Sequence, residues 1–234
     1  MKHKPTVTAL IPVHNEKPRI KAVIEPVLKN PLIESIIVVD DHSTDGTREY
    51  IADEYPHVMF LSNPHPQGKS SAVFYGLSHI STEYVLLLDG DLVGLTERHI
   101  IKLIEPVVRS EADMTISYRE LGSFKQHFLN FVDPMYNGDR CLAVKTLKSM
   151  YATFHPEGYG LETCMNTFAL DNKMKIEIVP LPIRQVTKPE KRSFVQGVFQ
   201  DLIMGFGIAV NYSLREKCRQ IMFISLRFQL SRLL

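Results

Sequence analysis

Leu86-Leu87-Leu88-Asp89-Gly90-Asp91-Leu92 is an apolar run that stops abruptly at two carboxylates around a glycine. A continuous apolar run of this kind reads as a buried parallel strand, and open α/β sheets bind ligands beyond the carboxyl ends of their strands. The spacing predicts Asp89 and Asp91 on one side of an extended segment, with Gly90 omitting the Cβ that would crowd an approaching ligand. Paired hard oxygen donors suit Mg2+ or Mn2+, and magnesium is typically held by one or two carboxylates together with substrate phosphates. The stretch therefore predicts a metal-diphosphate site at a strand end.

Upstream of it the pattern alternates. Val7 to Val13 reads as a strand, residues 18–29 as a helix opened by Pro18, and Glu34 to Val39 as a second strand ending at Asp40 and Asp41. Residues 44–54 read as a helix capped by Ser43 or Thr44, Val58 to Ser62 as a strand, and Ser70 to His79 as a helix entered through a polar loop. Short buried strands alternating with helices predict a mostly parallel, Rossmann-like sheet with right-handed crossovers. Downstream, the pattern predicts a helix over 97–108, a strand over 114–119 and an amphipathic segment over 123–131. A turn at Asn137-Gly138-Asp139, helices over 142–154 and 161–172, and a late strand over 175–180 follow.

The chain has 234 residues, 44% of them hydrophobic, which suits one sizeable α/β domain over 1–187 with an appended element over 188–234. A net charge of +1 gives no general argument for a nucleic-acid partner. Cys141, Cys164 and Cys218 are odd in number and lack metal-ligand spacing, so they read as reduced thiols of a cytoplasmic protein. No stretch has the uncharged apolar length of a membrane span, and no secretory signal is read at the amino terminus.

Residues 188–234 differ in character, with eight basic residues against three acidic ones interleaved with apolar positions such as Phe194, Leu202, Ile221 and Phe228. A basic, apolar-rich helical tail suits three roles: packing on the core, contact with a second copy in a homo-oligomer, or peripheral attachment at the inner face of a membrane.

Four motifs occur in order: Thr8 to Glu16 (T-A-L-I-P-V-H-N-E), Ile37 to Thr47 (I-V-V-D-D-H-S-T-D-G-T), Gly68 to Leu77, and Leu86 to Leu92. Their order and spacing resemble family-2 glycosyltransferases of the GT-A fold. The resemblance implies a sugar-nucleotide donor, a UDP-sugar rather than a GDP-sugar. It places Pro12, His14 and Glu16 against the nucleobase and ribose, and Asp41 as acceptor of a base imide N–H. Lys69, at a helix amino end after Gly68, would face the diphosphate; the reading beside it is a solvated loop charge. Asp91 would bind Mn2+ or Mg2+ directly, with Asp89 and Gly90 at the ribose or reaching the metal through water.

The acceptor side resembles the family less. Glu162 falls where inverting relatives carry a Glu-Asp pair, but Thr163 replaces the Asp that serves as base, which leaves Glu162 as the candidate proton acceptor. The string Gly158-Tyr159-Gly160-Leu161-Glu162 also resembles glucosyl-3-phosphoglycerate synthases, which retain anomeric configuration and need no such base. Gly138 and Asp139 would line the acceptor pocket. The acceptor itself stays open between a polyprenyl phosphate, a glycan and a phosphorylated small acid. Two other classes fit less well. A sugar nucleotidyltransferase would carry a Gly-rich basic loop after the first strand, where His14-Asn15-Glu16 stands. A non-catalytic nucleotide-sugar-binding module would explain Thr163 but not Asp89 and Asp91.

Overall fold

The computed structural model describes residues 5–65, 68–119, 137–156 and 160–185. Among these, nine strands and six helices follow in the order β1 (Val7–Val13), α1 (Lys21–Leu28), β2 (Ile33–Asp40), α2 (Thr47–Glu54), β3 (Met59–Ser62), α3 (Lys69–Leu77), β4 (Tyr84–Leu87), β5 (Leu92–Val93), α4 (Glu97–Val108), β6 (Met114–Arg119), β7 (Arg140–Ala143), α5 (Val144–Phe154), α6 (Leu161–Asp171), β8 (Ile176–Leu181) and β9 (Arg184–Gln185). The amphipathic segment 123–131 and the tail 188–234 lie outside the described residues.

Seven strands form one sheet in the order β3-β2-β1-β4-β7-β6-β8, while β5 and β9 pair separately. Neighbours run parallel except around β7, which is antiparallel to both β4 and β6. Reversing one strand has a simple consequence. The carboxyl ends of β1, β2, β4 and β6 and the amino end of β7 all open onto the same edge.

The period-two pattern divides the apolar residues between two faces. Val7, Ala9, Ile11 and Val13 of β1, with Ile36 and Val38 of β2, pack with Ile24 of α1, Ile51 of α2 and Ile100 of α4. Leu10, Ile37, Val39, Val85 and Leu87 face the other way, onto Ala72 and Val73 of α3, Leu147 of α5 and Cys164 of α6. On that side Gly76 brings α3 so close that a Cβ would stand 2.8 Å from Val39 Cγ2. The GT-A architecture expected from the sequence is the one observed.

Of the boundaries that differ from the sequence reading, three matter most for the chain's course. Leu142 and Ala143, expected to open a helix, instead end the strand Arg140–Ala143; β7 passes into α5 at Ala143 with no intervening loop. Helix α2 starts at Thr47, because Gly46 adopts φ +82 and the amides of Ser43 and Thr44 bond to Asp40 and Asn15 side chains. Regular α1 begins at Lys21, although Arg19 and Ile20 already donate to the Glu16 carbonyl.

Candidate active site

At the shared edge the apolar core gives way to charge. After β4 the chain turns at Gly90 and Asp91 instead of continuing extended. Asp91 is buried and the Asp89 side chain is 12% exposed. Gly90 is also required by packing: a Cβ there would stand 2.8 Å from Val13 Cγ1 and 3.4 Å from Glu16 Cγ. Its missing side chain lets the carboxylate-bearing turn pack on the end of β1.

Lys69, the first residue of α3, places its ammonium between two carboxylates. It pairs with Asp89 and, at 2.7 Å, with Glu162 Oε1 near the amino end of α6. It is thus not a solvated loop charge. Burial alone would lower its proton affinity, but Asp89 and Glu162 outweigh that and raise it above an ordinary lysine. Gly138 covers this pair: a Cβ at that position would strike Lys69 Nζ and lie 2.7 Å from Asp89 Oδ1.

Asp139 is fully buried, and its carboxylate accepts from the Asp89 amide at 3.1 Å and the Ser117 hydroxyl at 3.1 Å. These bonds tie the turn after β4 to β6. Arg140 is also fully buried, donating to the Asn137 carbonyl and, at 2.7 Å, to Asn166 Oδ1 on α6. Burial pulls its guanidinium down to about 10, opposed by Glu162, Asp139 and Asp89, so it stays protonated at neutral pH. Sequence reading had no signal for Asn166, and none that Arg140 turns inward.

The loops after β1 and β2 form the other half of the edge. Asp41 accepts from Asn63 Nδ2 at 2.8 Å and from the Gly68 amide at 3.0 Å, tying the β2 end to the α3 entrance. The Ser43 amide donates to the Asp40 carboxylate rather than to Asp41. His14 is exposed, with Nδ1 2.7 Å from the Asp41 carbonyl. Glu16 is buried against Arg19, and Pro12 is buried in β1. The structure thus gathers Asp41, Lys69, Asp89, Gly90, Asp91, Gly138 and Glu162 at one sheet edge, with Pro12, His14 and Glu16 at the end of β1.

The donor set fits a hard divalent cation. Among the described residues no group of three or more His, Cys, Asp or Glu side chains could hold a metal by itself. Asp91, with Asp89 alongside, provides the one or two carboxylates that magnesium-type sites use when substrate phosphates supply further oxygens.

A doubly wound sheet with this carboxylate and lysine cluster at its carboxyl edge is a nucleotide-binding α/β domain of GT-A type. The family profile described as glycosyl transferase family 2 matches residues 8–173, and the chain belongs to that family. A dolichyl-phosphate beta-glucosyltransferase of Trichomonas vaginalis is 28% identical over 133 residues, covering 52% of this chain and 41% of that protein. A second dolichyl-phosphate beta-glucosyltransferase of that organism is 23% identical over 89% of this chain and 74% of its own length. The first match therefore spans about two fifths of its relative. Glucosyl-3-phosphoglycerate synthase of Mycobacterium tuberculosis, solved with Mn2+ and UDP-glucose, superposes with a TM-score of 0.67 at 20% identity, covering 86% of this chain and 77% of that one. Among the described residues no helix is long and apolar enough to cross a membrane.

Proposed function

We propose that the protein transfers a hexose from a UDP-sugar, with Mn2+ or Mg2+, to the phosphate of a polyprenyl phosphate. The observation that carries the reading is the Lys69 ammonium held between Asp89 and Glu162 beside Asp91. In this reading Asp91 binds the cation directly, and Asp89, engaged by Lys69, meets the ribose or a metal-bound water. A cation bound there supplies a Lewis acid for the departing diphosphate. Lys69 provides a fixed positive charge beside the same leaving group, where it stabilises negative charge without reorganisation. Pro12, His14 and Glu16 border the nucleoside, and Asp41 accepts from the base.

The acceptor follows from what Glu162 is doing. Its carboxylate is bound to Lys69, and the neighbouring Thr163 hydroxyl cannot act as a general base at neutral pH. A phosphate acceptor arrives already ionised. Its oxygen attacks the anomeric carbon as the bond to the UDP oxygen breaks, and no proton has to be removed. The names of the Trichomonas relatives and the basic tail over 188–234 support this acceptor; the likeness to glucosyl-3-phosphoglycerate synthase supports a second reading, transfer to a phosphorylated small acid. The tail then attaches the domain to anionic lipid through its basic residues.

Incubation with UDP-[14C]glucose, MnCl2 and either polyprenyl phosphate or 3-phosphoglycerate separates the two. Label extracted into organic solvent is the expected result; label confined to an anionic water-soluble product selects the second reading. Failure to consume any of a panel of UDP- and GDP-sugars would leave a binding module. Loss of flotation with anionic liposomes on deleting residues 212–234 is expected if the tail meets the membrane, and unchanged flotation removes that role.

A further inference from the structure

Beneath the charged edge runs a chain of buried hydrogen bonds that the proposed chemistry does not use. Asp139 Oδ1 accepts from the Asp89 amide and Oδ2 from Ser117 Oγ; Asn137 Nδ2 donates to the Ser117 carbonyl. Arg140 Nε donates to the Asn137 carbonyl, and Nη1 reaches Asn166 Oδ1 at 2.7 Å. Asp139, Arg140, Asn137 and Asn166 are each no more than 1% exposed. The chain runs from the turn that carries Asp89 and Asp91, through β6 and β7, to α6.

Its last link stands in register with the site. Asn166 lies four residues after Glu162 in α6, so the two occupy one helix face a turn apart. Lys69 holds that face at Glu162 and Arg140 holds it at Asn166. Two points fix the rotation of a helix about its axis, whereas the Glu162 ion pair alone would let the side chain follow Lys69 into other rotamers. The charges of Glu162, Asp139 and Asp89 also act on Arg140, so one buried guanidinium offsets carboxylate charge on both sides of the edge.

We propose that the Arg140–Asn166 pair is the positioning element that sets Glu162 on α6 opposite Asp89 on the β4 turn, so that Lys69 bridges the two in a single geometry. Neither residue touches substrate in this role; they act through Glu162 and Asp89. The inference rests on the transferase reading for its kinetic consequence, and on the Lys69 ion pairs alone for its structural one.

The test uses the full chain with Asn166→Leu and Asn166→Asp. The first removes the acceptor of Arg140; the second keeps an oxygen in its place. Misplacement of a catalytic group by about 1 Å costs roughly 100-fold, so Asn166→Leu is expected to lower kcat by about 10- to 100-fold with donor KM little changed. Asn166→Asp is expected to restore most of it. Thr8→Val, the loss of an equally buried hydroxyl that bonds the Ser35 and Thr82 hydroxyls at the opposite end of β1, controls for stability and leaves kcat unchanged. Independently of turnover, Lys69 acetylation followed by mass spectrometry reads its shielding by Asp89 and Glu162. Asn166→Leu is expected to speed labelling several-fold and Asn166→Asp to leave it slow. Wild-type kcat in Asn166→Leu, or equal impairment of both variants, overturns the proposal. A wild-type protein that transfers nothing counts against the transferase reading, and the Lys69 labelling rates then decide this one.

Discussion

Lys69 Nζ and Glu162 Oε1 meet at 2.7 Å, joining the amino ends of α3 and α6 across the sheet edge. A cation in the first turn of a helix opposes the helix dipole. Lys69 stands in that unfavourable place and is held there by Asp89 and Glu162. Local rules broken at one point and compensated by distant residues are what a functional site looks like in an otherwise consistent sequence.

Replacing Lys69 with Met leaves Asp89 and Glu162 facing each other without their shared cation. Removing one partner of a buried ion pair costs about 3–5 kcal/mol, and the 21% exposure of the Lys69 side chain places this case near about 3. Thermal unfolding is expected to show that loss, and donor turnover is expected to fall by at least roughly 100-fold because a fixed charge beside the leaving group is gone. A Lys69→Met protein with wild-type turnover removes Lys69 from the mechanism.

Gly138→Ala tests the roof over that pair. The added methyl would meet Lys69 Nζ and approach Asp89 Oδ1 to 2.7 Å, so the ion pair must shift sideways. Overpacking of this kind costs about 1–3 kcal/mol. Turnover is expected to suffer more than stability, since both displaced groups belong to the site. Equal turnover of the alanine and glycine forms would show that Lys69 relocates without consequence.

How much of this could be read from the chain depends on the range of the interaction. The apolar runs 34–39 and 84–88 and their terminal acids lie in single segments, so the strands, the sheet edge and the places of Asp41, Asp89 and Asp91 on it were legible. Strand β7 was not: Arg140–Ala143 is four residues long and its Leu-Ala sequence serves a helix start equally well, so only pairing with β4 and β6 decides it. The two-residue strands β5 and β9 fall below any periodic signal. Gly90 was legible as a close approach but not what it approaches, because Val13 is 77 positions away. The inward course of Arg140 and the role of Asp139 depend on Asn166 and Ser117, partners that no local pattern announces.

Asp45 predicts an acid-dependent stability. Burial would raise its carboxyl, but hydrogen bonds from the Thr47 hydroxyl and from the Lys17 and Thr47 amides outweigh burial and hold it below the ordinary carboxylate range. A carboxyl whose folded value is depressed stabilises above its unfolded value of about 3.9 and loses that contribution as pH falls through the folded value. Asp45→Asn is therefore expected to unfold at a lower temperature than wild type at neutral pH. The gap should close as pH is lowered below about 4. A gap that persists unchanged into strong acid would assign the difference to packing rather than to charge.

Asp91→Asn separates the cation from the rest of the site. An amide keeps the shape of the carboxylate but loses its charge and one acceptor oxygen, so a hard divalent ion is held far more weakly. Asp41, Lys69, Asp89 and Glu162 belong to ion pairs and hydrogen bonds that do not involve it, so the fold and a nucleoside contact at the β2 end should survive. Calorimetric titration of UDP is expected to show Mn2+-dependent binding in the wild type. In Asp91→Asn the affinity should fall to that of wild type in EDTA, with chelator producing no further change in the variant. Donor turnover should drop at least roughly 100-fold in both conditions, as the developing diphosphate charge loses its Lewis acid. If EDTA leaves wild-type binding and turnover intact, the cation has no part in the reaction. Asp91 would then be a structural acid of the β4 turn, and Lys69 alone would have to carry the leaving-group charge.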